Sequence, residues 1–88
     1  MEIRKKVQAG TLQSSDLMVF VEPAETLSIE IESTVKKQFE HLIHARIEVV
    51  LERLQVTRGH IRLSDRGALD YAIEARVEAA LRRAALEG

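Results

Sequence analysis

Cysteine is absent from the 88-residue chain, so it can form no disulfide, offer no thiolate to a metal and supply no sulfur nucleophile of its own. Any thioester chemistry would need a borrowed thiol. Glycine occurs only four times and never as GxGxxG or a P-loop, which removes a nucleotide cradle built by this chain alone. No apolar run approaches the roughly 18 residues that a membrane span needs. The opening MEIRKKVQAG lacks the apolar core of a signal peptide, so a cytoplasmic protein with no membrane contact is expected. Thirteen Lys and Arg against fourteen Asp and Glu leave a formal charge of −1, with no basic block to neutralise a row of phosphates, so nucleic acid is not an expected partner. No internal repeat, low-complexity tract or long linker is present.

What remains is an ordinary globular balance of 45% hydrophobic and 31% charged residues. A chain of this length holds one core, and residues 1–88 are expected to form a single domain. So small a core gives modest stability alone and gains from a complex.

Residues 7–12 read as a short strand interrupted at Gly10. After the polar step Gln13-Ser14-Ser15, the run Leu17-Met18-Val19-Phe20-Val21 reads as a strand buried on both faces, closed by Glu22-Pro23. The two make a hairpin whose tip holds the serines, with Asp16 helping the turn. Leu27, Ile29 and Ile31 alternate with Ser28, Glu30 and Glu32, the period of a sheet with one wet face.

Ser33 or Thr34 can cap a helix whose apolar stripe is Val35, Phe39, Leu42, Ile43, Ile47, Val50, Leu51 and Leu54. It ends before Gly59, and Ile61 and Leu63 alternate with His60 and Arg62 as a fourth strand. Ser64 or Asp65 can cap a second helix with the stripe Leu69, Ile73, Val77, Ala80, Leu81 and Ala84, and Arg82 and Arg83 near its negative end. The order β-β-β-α-β-α predicts an α+β two-layer sandwich, with both helices on one face of a small, mostly antiparallel sheet.

Few residues point to chemistry. His41 and His44 share a helix face at a spacing that could begin a zinc site, but no third ligand is evident and a solvated face accounts for them; no metal is expected. His60 reads as an exposed strand residue. Glu30, Glu32, Glu48 and Glu52 read as solubilising charges, and Glu78–Arg82 as a surface pair at i,i+4. Gly67 and Asp70 shape the start of the last helix, Asp70 favoured by its dipole. Arg76 lies off the apolar stripe, free for docking or simply solvated. By residue type alone, Ser14 and Ser15 are turn residues.

AGTLQSSD followed by an apolar strand, IESTVKKQF at the head of the long helix, and DRGALDYAIEARVEAAL near the end together resemble the acyl carrier protein, or gamma chain, of bacterial citrate lyase. The resemblance runs almost from Met1 to Leu86. It implies a non-catalytic carrier with no catalytic residue of its own, bearing 2'-(5''-phosphoribosyl)-3'-dephospho-CoA on Ser14 through a phosphodiester; Ser15 is the weaker candidate. It further implies acetyl and citryl thioesters on that arm during cleavage of citrate to acetate and oxaloacetate. The implied partners are an alpha subunit that transfers acyl groups, a beta subunit that cleaves the citryl thioester, and a transferase that attaches the group. The chain departs from the family pattern at Gln13, where an acid is expected, and in lacking the C-terminal extension of some members. The carrier of malonate decarboxylase is a similar family that fits less well outside the serine region, and an unmodified regulatory or assembly module is the reading from another class.

Overall fold

The computed structural model describes residues 1–34 and 39–86. Its elements are β1 (Val7–Gly10), β2 (Leu17–Glu22), β3 (Leu27–Ser33), α1 (Glu40–Arg53), β4 (Gly59–Asp65) and α2 (Asp70–Ala85). The expected element order and α+β class are therefore observed. The four strands form one sheet in the order β1-β2-β4-β3. β1–β2 and β2–β4 are antiparallel, whereas β3 and β4 run parallel, because a crossover through α1 returns the chain to the end where it started.

Register assigns the two faces. Val7 stands opposite Val21 and Ala9 opposite Val19, while Val19 pairs with Leu63 and Val21 with Ile61. These side chains meet Ile47, Val50 and Leu51 of α1 and Ile73, Val77, Ala80, Leu81 and Ala84 of α2 in one core. Burial of each full aliphatic side chain contributes about 1.5–3 kcal/mol. The N-terminal segment joins the core through Ile3, and the Arg4 and Lys5 amides donate to the Ala84 carbonyl at 2.8 and 3.2 Å.

Several expectations need correction. β2 is buried on one face only: Leu17, Val19 and Val21 are sealed, but Met18, Phe20 and Glu22 are half-buried on the face opposite the helices. A continuous apolar run had the look of a strand covered on both sides, yet both helices pack on the same side. β1 stops at Gly10 rather than Leu12, which is exposed. Ser33 ends β3 and gives its hydroxyl to Asp65 (2.8 Å), while the residue before α1 is Phe39. α1 follows Phe39 with no side-chain cap; the expected position Val35 lies outside the described residues. Ser64 and Asp65 belong to β4, and α2 starts after Leu69, again without a side-chain cap. Phe39, Leu42 and Leu69 are solvent-exposed instead of core-facing.

Candidate functional site

The β1–β2 connection, residues 11–16, positions both serines. Asp16 donates its amide to the Gln13 carbonyl at 3.2 Å, closing a four-residue turn with Ser14 and Ser15 at its centre. Ser15 has φ +64°, and a positive φ at the third residue alone is the mark of a type II turn, a place that favours glycine or asparagine. Ser14 precedes it and is exposed. Among the described residues no group hydrogen-bonds the Ser14 hydroxyl.

Although its tip is exposed, the loop is tightly held. The Ser15 amide donates to the Arg66 carbonyl and the Arg66 amide returns a bond to the Asp16 carbonyl, both at 2.8 Å. This pair extends the β2–β4 ladder past its last strand residues. Gly67 (φ +94°) then turns the chain away; a Cβ there would lie 3.9 Å from the Ser15 Cα, so loop and β4–α2 connection touch. At the loop base the Thr11 amide donates to the Leu17 carbonyl at 3.0 Å. Gly10 (φ +102°) sits so close to Leu17 that any Cβ would overlap the same carbonyl oxygen.

Asp16 gathers the side-chain bonds. Its carboxylate accepts from the Thr11 hydroxyl (2.5 Å) and the Leu17 amide (2.8 Å). It also accepts two bonds from Arg76 of α2, from Nε at 3.4 Å and from Nη2 at 3.1 Å. The Thr11 hydroxyl, then the Leu17 amide and Arg76, hold its pKa below the ordinary carboxylate value against partial desolvation. Asp16 is thus a turn residue with a further duty, and Arg76 is its partner from a position 60 residues away. Sequence reasoning left Arg76 open because nothing local marks a contact at that separation.

Beneath the loop, the buried Asp65 accepts from Ser33 (2.8 Å) and from the Ala68 amide (2.9 Å), tying the end of β3 to the turn before α2. Sequence reading assigned Asp65 a cap and missed this role, although an acid ending an alternating strand ahead of a glycine turn is the available signal. Asp70 opens α2 and pairs with Arg46 at 3.3 Å.

The other candidates do not assemble a site. His44 contacts Glu48 on its own helix, and the described residues contain no cluster of three or more metal-ligating side chains. His60 is half-buried rather than exposed, and its Nδ1 bonds the Ser28 hydroxyl at 2.6 Å. Glu30 lies 3.7 Å from its Nε2, too far for the hydrogen bond that would orient a catalytic imidazole. Glu32 pairs with Arg66 at 3.3 Å. Glu78 joins Arg82 and also Arg53 across to α1, and these two guanidinium groups lower its pKa. No helix among the described residues is long and apolar enough to cross a membrane.

The family model for acyl carrier proteins described as malonate decarboxylase delta subunit matches residues 4–84. Citrate lyase acyl carrier proteins are similar over nearly the whole chain. That of Haemophilus influenzae strain PittGG is 48% identical over 84 residues, covering 96% of this chain and 88% of the relative. The proteins of Halothermothrix orenii and Treponema denticola are 46% and 40% identical, each over 96% of this chain and over 90% and 97% of their own lengths. Among solved structures, a Pseudomonas malonate decarboxylase hetero-tetramer in complex with malonate contains a chain with TM-score 0.71 and 25% identity, covering 92% of this chain and 84% of that one. Identities of 40–48% over 96% of the chain and a family model over residues 4–84 agree: the chain belongs to the citrate lyase acyl carrier protein family, and its role is that of an acyl carrier.

Proposed function

We propose that Ser14 carries 2'-(5''-phosphoribosyl)-3'-dephospho-CoA in a phosphodiester on its hydroxyl, with residues 1–88 acting as one carrier domain of a cytoplasmic citrate lyase. The observation that carries this reading is the exposed, unbonded Ser14 hydroxyl at the tip of a backbone-clamped turn. A covalent anchor needs a hydroxyl that a bulky reagent can reach and a backbone that stays in place, and Ser14 meets both conditions. Ser15 meets the second less well as an attachment point, because its φ of +64° is the strained position of the turn. When attached, the group supplies the thiol that a chain without cysteine lacks.

The acids and bases of the reaction then belong to partners: an alpha subunit for acyl transfer, a beta subunit for cleavage, and a separate enzyme for attachment. This chain contributes tethering, which makes each encounter intramolecular. Malonate decarboxylase is the second reading, favoured by the description of the family model. Identities of 40–48% to citrate lyase carriers against 25% to the malonate decarboxylase chain place it second.

Co-expression with the attaching enzymes followed by intact-mass measurement tests the assignment. Wild type and Ser15→Ala are expected to gain the mass of the group, on the peptide spanning residues 11–20, and Ser14→Ala to gain none. An adduct that survives Ser14→Ala refutes it.

A further inference from the structure

The face of the sheet turned away from both helices carries a feature that an attachment point does not require. Phe20 of β2 and Arg62 of β4 are cross-strand partners, and the Arg62 guanidinium carbon lies 4.4 Å from the centroid of the Phe20 ring. Beside this stack runs an open groove of about 440 Å³, lined chiefly by Lys6, Gln8, Phe20, Glu22, His60 and Arg62. Lys6 stands 3.7 Å from Glu22, and the His60 ring 3.7 Å from Glu30. Arg62 is exposed and has no carboxylate partner among the described residues. The groove therefore offers a guanidinium that is stacked on an aromatic ring and has no carboxylate beside it, together with a second, weakly held ammonium.

Guanidinium groups stack on planar rings and bind phosphate oxygens in a forked geometry, while an ammonium adds a point charge. A planar base joined to a diphosphate matches that set. We infer that this groove is a resting site for the nucleotide part of the arm, with the base against the Phe20–Arg62 stack and the diphosphate at Arg62 and Lys6. The inference rests on the reading of Ser14 as the attachment point.

Position supports it. Phe20 lies three residues along β2 from Leu17, roughly 10 Å up the strand from the end of the loop that bears Ser14. The path from the serine oxygen to the base, through the phosphate, the linking ribose and the adenosine ribose, spans a comparable distance when extended. Tethering also relaxes the affinity needed, because a short flexible link holds its end at an effective concentration in the millimolar range. A shallow, open groove is sufficient under those conditions, and the thiol end stays free beyond the held nucleotide.

Amide chemical shifts of the full-length, unmodified protein titrated with free dephospho-CoA test the site. At millimolar ligand the amides of Gln8, Phe20, His60 and Arg62 are expected to move together. Arg62→Gln should weaken binding by about ten-fold or more through loss of a charged hydrogen-bond donor, and Phe20→Leu should also weaken it. Arg58→Gln, an exposed change outside the groove, should bind like wild type; thermal melts establish that each variant is folded. Absent shifts, or an Arg62→Gln protein that binds as wild type does, overturn the inference. In mass-verified modified protein the same four amides should be displaced relative to the unmodified form. If the adduct sits on Ser14 and those amides do not move, the resting site is wrong and the attachment reading stands; if no adduct forms on Ser14, both fall.

Discussion

Gly10→Ala probes the base of the serine loop, where backbone and sterics act together. At φ +102° an L side chain is strained wherever space exists, at roughly 1–3 kcal/mol for a backbone held in such a region. Space does not exist either: the new methyl would overlap the Leu17 carbonyl oxygen and lie 3.0 Å from its carbon and 3.3 Å from the Met18 Cα. That carbonyl accepts the Thr11 amide, so moving it aside forfeits a bond worth about 1 kcal/mol. The combined cost is roughly 2–4 kcal/mol, against a total stability of roughly 4–13 kcal/mol for a chain this long. At about 4–8 °C per kcal/mol, the melting temperature should fall by roughly 10–30 °C. Circular dichroism melts of wild type and Gly10→Ala measure this, with Ser14→Ala as a control expected within about 0.5 kcal/mol of wild type. A Gly10→Ala melting point within about 2 °C of wild type would refute the close approach of Gly10 to Leu17.

Ser15→Gly should stabilise the protein by about 0.5–1 kcal/mol, the relief of a left-handed residue less the added freedom of glycine in the unfolded chain; chemical denaturation reads it, and a destabilised variant contradicts the turn assignment. The folded-state pKa of Asp16 lies below its ordinary value of 3.8, so its contribution is complete above that value and is lost as pH falls through the lower, folded one. Asp16→Asn should accordingly flatten the acid end of the stability–pH curve, and an unchanged acid limb would count against the Thr11, Leu17 and Arg76 bonds. Asp65→Ala removes the carboxylate that the Ser33 hydroxyl and the Ala68 amide share and should cost roughly 1–3 kcal/mol in equilibrium unfolding. A neutral result there would mean that the carboxylate does not hold the end of β3 to the turn before α2.

Strands β2 and β3 were legible because their patterning comes from side chains that answer to the nearest face: Leu17 to Val21 is an unbroken apolar run, and Leu27, Ile29 and Ile31 alternate with polar residues. The Ser14 turn was legible from small polar residues between two such strands. Burial of β2 on both faces was misread because Met18 and Phe20 are apolar without being covered; Arg62 shields Phe20 instead of a helix, and the stem of a long cation leaves no periodic signal. Helix starts were placed too early for a related reason. Ser33 and Asp65 have the chemistry of caps, but they satisfy each other across parallel strands, and a bond between residues 32 apart has no local signature. The same holds for Asp16 and Arg76, so the loop was readable as a turn and its clamp was not.

The clamp matters because of how tethers work. Ser14 stands three to four residues from the strands on either side. An unclamped loop would let it wander by roughly 10 Å at full extension. That excursion would add to the length of any arm fixed to the hydroxyl, and effective concentration at the far end falls as about the −3/2 power of tether length or more steeply. It would also separate the anchor from whatever surface a partner reads. The bonds from Ser15 and Asp16 to Arg66, the Asp16 carboxylate held by Thr11 and Arg76, and the tight seat of Gly10 on Leu17 remove that freedom from the backbone. On the proposed attachment, the reach of the carrier resides in the arm and its aim in the loop, so a change that loosens the loop should act on partner encounter even where the fold survives.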